Sequence, residues 1–139
     1  MGTGKSLMVR ALATECDAMV IDLSVSNLEG NCMDKSSTLK NLYMAFTVAK
    51  EFQPAIIFMD DIDLVFPLKK PKRAGAGPTR LKKPLQAFKK AKYLKEDDRV
   101  VFIGLTNKPH ECNMKETKAF FERKVYFPFP NYSTRMMLF

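Results

Sequence analysis

The chain opens with the string MGTGKS, residues 1–6. Gly4, Lys5 and Ser6 match the end of the phosphate-binding loop G-x-x-x-x-G-K-[ST], whose first glycine would precede Met1. In such loops glycines let the backbone wrap phosphates, the lysine reaches the outer phosphates, and the hydroxyl ligates magnesium. The string therefore predicts the second half of a nucleotide site, although taken alone it also fits a glycine turn before a helix.

A second group of candidates follows the apolar run AIIFM as the string DDID, residues 60–63. A buried strand that ends in carboxylates places negative charge at the carboxyl edge of a sheet, where ligands bind in open α/β folds. We predict that Asp60 holds magnesium opposite Ser6 and that Asp61 orients an attacking water. The alternative is a solvated acidic turn after a strand.

A third group ends the apolar run VVFIGL, where Thr106 and Asn107 follow. If this run is a strand of the same parallel sheet, its polar end lies at the same edge as Asp60. Neutral polar groups there can hydrogen-bond a γ-phosphate or a water. A plain turn at the end of a strand is the alternative.

These candidates need a sheet and helices to position them. Short apolar runs rich in β-formers alternate with stretches of helical periodicity, which predicts an α/β fold with a mostly parallel sheet. The predicted helices cover residues 5–15, 38–52 and 79–94, and the predicted strands cover residues 18–23, 55–60, 99–107 and 124–129. Residues 26–37 and 67–78 are predicted to be turn and loop.

Four strings resemble the AAA family of ATPases in order and spacing: GTGKSLMVRALATE, LKNLYMAFTVAKEFQPAIIFMDDID, VVFIGLTNKP and FFERKVYFPFPN. The resemblance covers nearly the whole chain and implies a three-layer P-loop NTPase fold that binds ATP and magnesium. It implies nucleotide binding by Gly2, Thr3, Gly4, Lys5, Ser6 and Leu7, and magnesium binding by Ser6 and Asp60. It places the catalytic carboxylate at Asp61, the sensor asparagine at Asn107 and an arginine finger at Arg123.

The chain also departs from the family's pattern. The strand before the phosphate loop and the helical lid are expected to be missing from residues 1–139, which we interpret as one partial AAA core. Asp61 stands where hydrolytic members carry Glu, and Phe120 stands at the first arginine of the finger motif. The stretch NLEGNCMDKS lacks the pore aromatic of threading members. These departures leave two alternatives open, an ATP hydrolase of the AAA type or a catalytically weak or inactive scaffold subunit.

A narrower resemblance concerns the strings SNLEG and RLKKPLQAFKKAKYLKEDDRVVFIGLTN. They are similar to the IQ-and-AAA-domain proteins of ciliary axonemes, which are associated with the dynein regulatory complex. The resemblance implies a cytoplasmic, cytoskeletal location in the axoneme of a cilium or flagellum, with other subunits of an axonemal complex as partners. Three cysteines without metal-like spacing fit a reducing compartment.

The charge of the chain is unevenly distributed. Residues 67–95 carry eleven Lys or Arg and no Asp or Glu, within a chain of net charge +8. The part at residues 67–78 is predicted to be a basic loop inserted in the domain, and residues 69–95 form a basic patch that could contact acidic microtubule surfaces. Nucleic acid is a less suitable partner because Phe88 and Tyr93 are the only aromatic residues in the sequence of the patch, too few for interleaved stacking on bases. No apolar run reaches the roughly 18 residues that a membrane span needs.

Overall fold

The computed structural model describes residues 2–29, 35–69, 77–91, 93–95 and 97–138. Three parallel strands form one sheet in the order β1, β2, β3, with Met19 of β1 beside Ala55 of β2 and Ala55 beside Val100 of β3. The strands are β1 Met19–Asp22, β2 Ala55–Met59 and β3 Val100–Gly104. The helices are α1 Lys5–Glu15, α2 Val25–Glu29, α3 Lys35–Glu51, α4 Ile62–Val65, α5 Lys82–Lys90, α6 Met114–Phe120 and α7 Tyr132–Leu138.

The central strand β2 is buried on both faces. Ile56 packs with Val9 and Ala13 of α1 on one side of the sheet. Ile57 and Met59 belong to the larger cluster on the other side, which also contains residues of α3 and α5. Successive residues of a strand point to opposite faces, so a strand covered on both sides must be apolar throughout. This explains the continuous run AIIFM, and the α/β three-layer arrangement is confirmed.

One close approach in the sheet requires a glycine. A Cβ at Gly104, the last residue of β3, would lie 2.6 Å from the ring of Phe121 and 2.9 Å from the side chain of Ile62. The missing side chain lets α4 and the segment after α6 pack directly against the end of β3. The packing in turn sets where the residues that follow β3 emerge.

The predicted strand at residues 124–129 is wrong. The segment forms neither strand nor helix, and Val125, Tyr126 and Phe129 are each more than three quarters exposed. Pro128 and Pro130 remove backbone donors that a sheet ladder would need, and none of the described strands pairs with the segment.

The other elements agree with the sequence in part. The helix at residues 5–15 and the first three strands are confirmed. The helix predicted over residues 79–94 is shorter, because residues 77–81 form a 3₁₀ turn and α5 ends at Lys90. Pro84 lies in the first turn of α5, where its missing N–H costs no helical hydrogen bond. The short helices α2 and α4 and the terminal α7 were not predicted. No helix within the described ranges is long and apolar enough to cross a membrane.

Candidate functional site

The loop before α1 has the geometry that a phosphate-binding backbone needs. Gly2 and Gly4 have φ angles of 76° and 82°, a left-handed conformation that glycine adopts without a steric penalty. Apart from the glycine itself and its chain neighbours, no atom of the described residues lies within 4 Å of where a Cβ would stand on either residue. The first helical hydrogen bond runs from the N–H of Met8 to the carbonyl of Gly4, and within the described chain no side chain caps the start of α1. The amides of the first turn are therefore available to an anion.

Ser6 and Asp60 lie together. The Oγ of Ser6 donates to Oδ2 of Asp60 at 3.3 Å, which joins the first turn of α1 to the end of β2. The predicted juxtaposition of these two residues is present, since the carboxyl ends of parallel strands and the starts of helices share one edge of the sheet. Hydroxyl and carboxylate oxygens are ligands that magnesium prefers.

A serine after β1 supports Asp60 from the other side. The backbone N–H of Asp60 donates to Oγ of Ser24 at 3.4 Å. Ser24 in turn donates from its hydroxyl and its N–H to Oδ1 of Asp22, the latter at 2.7 Å. Sequence reasoning missed this pair. The available signal was the Asp-x-Ser string directly after an apolar run, because an aspartate that accepts from the N–H two residues later is a common local turn.

Lys5 lies over the loop. Its Nζ donates to Oγ1 of Thr3 at 3.0 Å, and no carboxylate of the described residues forms an ion pair with it. A hydroxyl is a weaker partner for an ammonium group than an anion is. The amine is therefore held near the loop by a contact that a phosphate could replace. Leu7, which the resemblance placed beside the nucleotide, is 70% exposed on the same turn.

Asp61 adopts a conformation that favours aspartate. Its φ and ψ are both 50°, a left-handed geometry that Asp and Asn tolerate better than longer side chains do. Its N–H donates to Oδ1 of Asp60 at 2.8 Å. Burial raises the pKa of the Asp61 carboxyl, and the nearby carboxylates of Asp60 and Asp63 raise it further, while Lys108 partly opposes them. The raised pKa means that the charged form of Asp61 is less favourable in the folded protein than in the unfolded chain.

The two polar residues after β3, Thr106 and Asn107, differ in their hydrogen bonds. Thr106 donates from Oγ1 to Oδ1 of the buried Asp63 at 2.7 Å and accepts the N–H of Lys108 at 3.0 Å. Its hydroxyl proton thus ties β3 to α4, and a contact to phosphate would have to replace that bond. Asn107 is half-buried, and no hydrogen bond to its side chain occurs within the described residues. The predicted sensor role of Asn107 stays a prediction.

Arg123 is separate from this cluster. It is exposed in the irregular segment after α6, and no described carboxylate forms an ion pair with it. The two preceding aromatics anchor the segment, because Phe120 and Phe121 pack at 5.5 and 5.9 Å from the ring of Phe102. Phe120, which replaces the family's first finger arginine, therefore contributes to the core.

The donor set fits magnesium bound together with a nucleotide. Within the described residues there is no cluster of three or more Asp, Glu, His or Cys able to hold a metal by itself. Magnesium in nucleotide sites keeps several waters and takes one or two protein oxygens plus phosphate oxygens. Ser6 and Asp60 supply two such oxygens.

The chain matches a family of known proteins over most of its length. The model of the family "ATPase family associated with various cellular activities (AAA)" matches residues 1–129. The chain is 30% identical over 135 residues to mouse Dynein regulatory complex protein 11, and it is 32% identical over 137 residues to spastin of Anopheles gambiae. It spans only 16% of the length of either protein, while 96% and 99% of the chain are covered.

Two solved structures share the fold. The crystal structure of the FIGL-1 AAA domain superposes with a TM-score of 0.79 at 25% identity, covering 99% of this chain and 43% of that one. The FIGL-1 AAA domain in complex with ADP gives a TM-score of 0.76 at the same identity and coverage. The chain thus spans less than half of the structures it resembles.

The crowding of carboxylates around Asp61 yields a stability prediction. Asp61→Asn should raise the melting temperature at pH 7, because the folded-state pKa of Asp61 is raised and its charged form opposes folding. The gain should shrink as the pH falls and vanish below the ordinary value of 3.8, where Asp61 is neutral in both states. Thermal unfolding across this pH range measures the effect.

Asp17→Asn is the matched control, because Asp17 also has a positive φ, of 47°, so the substitution shares the backbone effect of asparagine. In the sequence only one acidic residue, Glu15, lies within four positions of Asp17, whereas Asp60 and Asp63 flank Asp61. Equal shifts for the two variants at every pH would contradict the repulsion at Asp61.

Proposed function

We propose that this chain, which belongs to the AAA family of ATPases, binds ATP with magnesium at the carboxyl edge of its parallel sheet. The observation that carries the proposal is the contact of Ser6 with Asp60 beside the uncapped start of α1. An anion-binding helix start and a pair of hard oxygen ligands meet there, as nucleotide binding requires. The similarity to a FIGL-1 domain in complex with ADP supports the same ligand class.

The proposed roles combine the geometry around Ser6 and Asp60 with the resemblance to the family, on which the roles of Asp61, Asn107 and Arg123 rest. The backbone from Gly2 through Thr3 and Gly4 to Leu7 would surround the phosphates, and Lys5 would exchange its contact with Thr3 for one with the outer phosphates. Ser6 and Asp60 would hold magnesium, which supplies neutralisation of phosphate charge when it is bound. Asp61 would orient water, Asn107 would contact the γ-phosphate or that water, and Arg123 would reach the nucleotide of a neighbouring subunit.

Removal of the loop amine tests the binding proposal. Lys5→Ala should weaken MgATP binding by about tenfold or more, since hydrogen bonds to charged groups contribute about 1.5–3 kcal/mol. Isothermal titration calorimetry on the full chain measures the affinity. Lys118→Ala, which removes an exposed lysine on α6, should leave it unchanged. Unchanged affinity in the Lys5 variant would contradict nucleotide binding at this loop.

Turnover is a separate question, and two alternatives remain for it. Asp61 has a side chain one methylene shorter than the Glu expected of hydrolytic members, and a misplacement of about 1 Å can cost about 10²-fold in rate. The left-handed backbone of Asp61 explains why aspartate suits this position structurally. A hydrolase with a retracted carboxylate and a scaffold that binds ATP without turnover both fit these facts.

Asp61→Glu distinguishes the two alternatives. If Asp61 orients water, the longer side chain should raise steady-state phosphate release, even though glutamate in a left-handed conformation costs about 1–2 kcal/mol of stability. Thermal unfolding of the same variant shows whether a loss of phosphate release comes from unfolded protein or from slower hydrolysis. Equal or lower phosphate release from fully folded variant would support the scaffold alternative.

We further propose that the protein acts in an axonemal complex of the cilium or flagellum. The similarity to Dynein regulatory complex protein 11 supports this context, although the similarity to spastin is of the same size. The charge of residues 67–95 supports an acidic cytoskeletal surface, such as the microtubule, as a contact. Lys69 is exposed, and Lys70, Lys72 and Arg73 lie outside the described residues.

Sedimentation with isolated axonemes and with bare microtubules tests this context. Binding should occur at low salt and weaken as salt rises, since exposed charges are screened over about 10 Å at 0.1 M. Charge reversal at Lys69, Lys70, Lys72 and Arg73 should reduce sedimentation while MgATP affinity stays the same. If binding is absent at low salt, or persists after the charge reversal, the cytoskeletal role of the patch is wrong.

A further inference from the structure

An apolar groove lies between α3 and α5, away from the nucleotide loop. Its volume is about 480 Å³. Apart from Lys40 it is lined by apolar and aromatic side chains: Leu39, Tyr43, Met44, Pro84, Ala87, Phe88, Ala91 and Tyr93. Leu39, Tyr43 and Met44 are between 51% and 63% exposed, so the groove opens to solvent. Apolar side chains grouped in this way mark interaction sites.

The groove has a firm floor. Phe88 stacks at 4.9 Å on the buried Phe46 and meets the ring of Tyr93 edge-on at 5.4 Å. The hydroxyl of Tyr93 is 3.1 Å from Oγ1 of Thr47, and the ammonium of Lys50 lies 4.3 Å from its ring centroid. These contacts join α3 to α5 and hold the aromatic rings in place, so the groove does not depend on a ligand to form.

The rim of the groove carries unpaired positive charge. Lys40 lines it, and Lys83 and Lys90 lie four residues before and three residues after Ala87, which places them on the same face of α5. No carboxylate of the described residues forms an ion pair with these three lysines. By contrast, Lys82 and Lys89, which directly precede Lys83 and Lys90, pair with Glu116 and Glu122 at 2.7 and 3.8 Å.

We infer that this groove binds an acidic amphipathic helix of a partner protein. Leu39 and Tyr43 are one turn apart on α3. Pro84 and Ala87 of α5, together with Ala91 directly after it, span about two turns, about 10 Å. The i, i+3 or i+4, i+7 anchors of a docked helix cover the same length. Acidic residues beside those anchors would pair with Lys40, Lys83 and Lys90.

Charge argues against a second copy of this chain as the occupant. The exposed apolar segment that contains Val125, Tyr126 and Phe129 is preceded directly by Arg123 and Lys124. Docking it in the groove of another copy would bring like charges to the lysine rim. An acidic tail without apolar residues could meet the lysines but would leave the groove unfilled.

Fluorescence anisotropy with the full chain and three synthetic peptides tests the inference. The first peptide is an 18-residue helix of Leu, Glu and Ala with its leucines on one stripe. The second has the same composition in scrambled order, and the third is a glutamate-only peptide of equal charge. The striped helix should bind at least about tenfold more tightly than either of the others. Equal binding of all three peptides would overturn the inference, because it would mean that the lysines attract any acidic peptide. Absence of binding of the striped helix would also overturn it.

Variants of the chain test the apolar groove and its lysine rim separately. Ala87→Lys fills the groove and keeps the rim positive, so it should weaken the striped helix at least about tenfold. Lys83→Glu with Lys90→Glu should weaken it by a similar factor through charge. The matched control, Lys115→Glu with Lys118→Glu on α6, makes the same charge change at exposed lysines of another helix and should have little effect. Equal loss in the control would overturn the inference, as would a dimer of the free chain that Ala87→Lys dissolves. Circular dichroism confirms that each variant is folded.

Discussion

The carboxylate of Asp60 is the point on which the candidate site depends. One of its oxygens accepts from the hydroxyl of Ser6, the other accepts from the N–H of Asp61, and its own N–H donates to Ser24. Two other segments of the chain, the first turn of α1 and the residues after β1, are thereby fixed to the end of β2. These hydrogen bonds hold the Asp60 carboxylate in a defined orientation at the boundary between a buried strand and solvent.

The burial of β2 is what fixes that boundary. Ile57 and Met59 are fully buried on one side of the sheet, and Ile56 is buried against α1 on the other. A strand covered by helices on both faces cannot slide by one residue without moving apolar side chains out of their layer. The packing of the core therefore determines where the carboxylates of Asp60 and Asp61 emerge. The larger core cluster also holds α3 and α5 side by side. Their outward-facing aromatic residues line the apolar groove, which is separate from the candidate nucleotide site.

The sequence was sufficient for the parts of the fold with strong periodicity or a continuous apolar run. The helix at residues 5–15, the three strands and the meeting of Ser6 with Asp60 follow from such patterns. The strand predicted over residues 124–129 was wrong because its apolar residues are typical of a strand. Strand pairing, however, depends on a neighbouring strand that the local sequence does not specify. The left-handed backbone of Asp61 and the support of Asp60 by Ser24 arise from tertiary contacts. The hydrogen bond from Thr106 to the buried Asp63 is also a tertiary contact.

Ser6 and Asp60 are proposed to act together in holding magnesium beside bound ATP. The most direct test is a double-mutant cycle on the gain in ATP affinity that magnesium provides, using Ser6→Ala, Asp60→Asn and the double variant. Calorimetric titrations of each protein with ATP, once in the presence of magnesium and once in the presence of EDTA, give this gain as the difference in affinity. If the two residues act together, each single variant should lose most of the gain in ATP affinity, and the double variant should lose little more. Losses that add independently, or an ATP affinity that magnesium does not change in the unmodified chain, would contradict it.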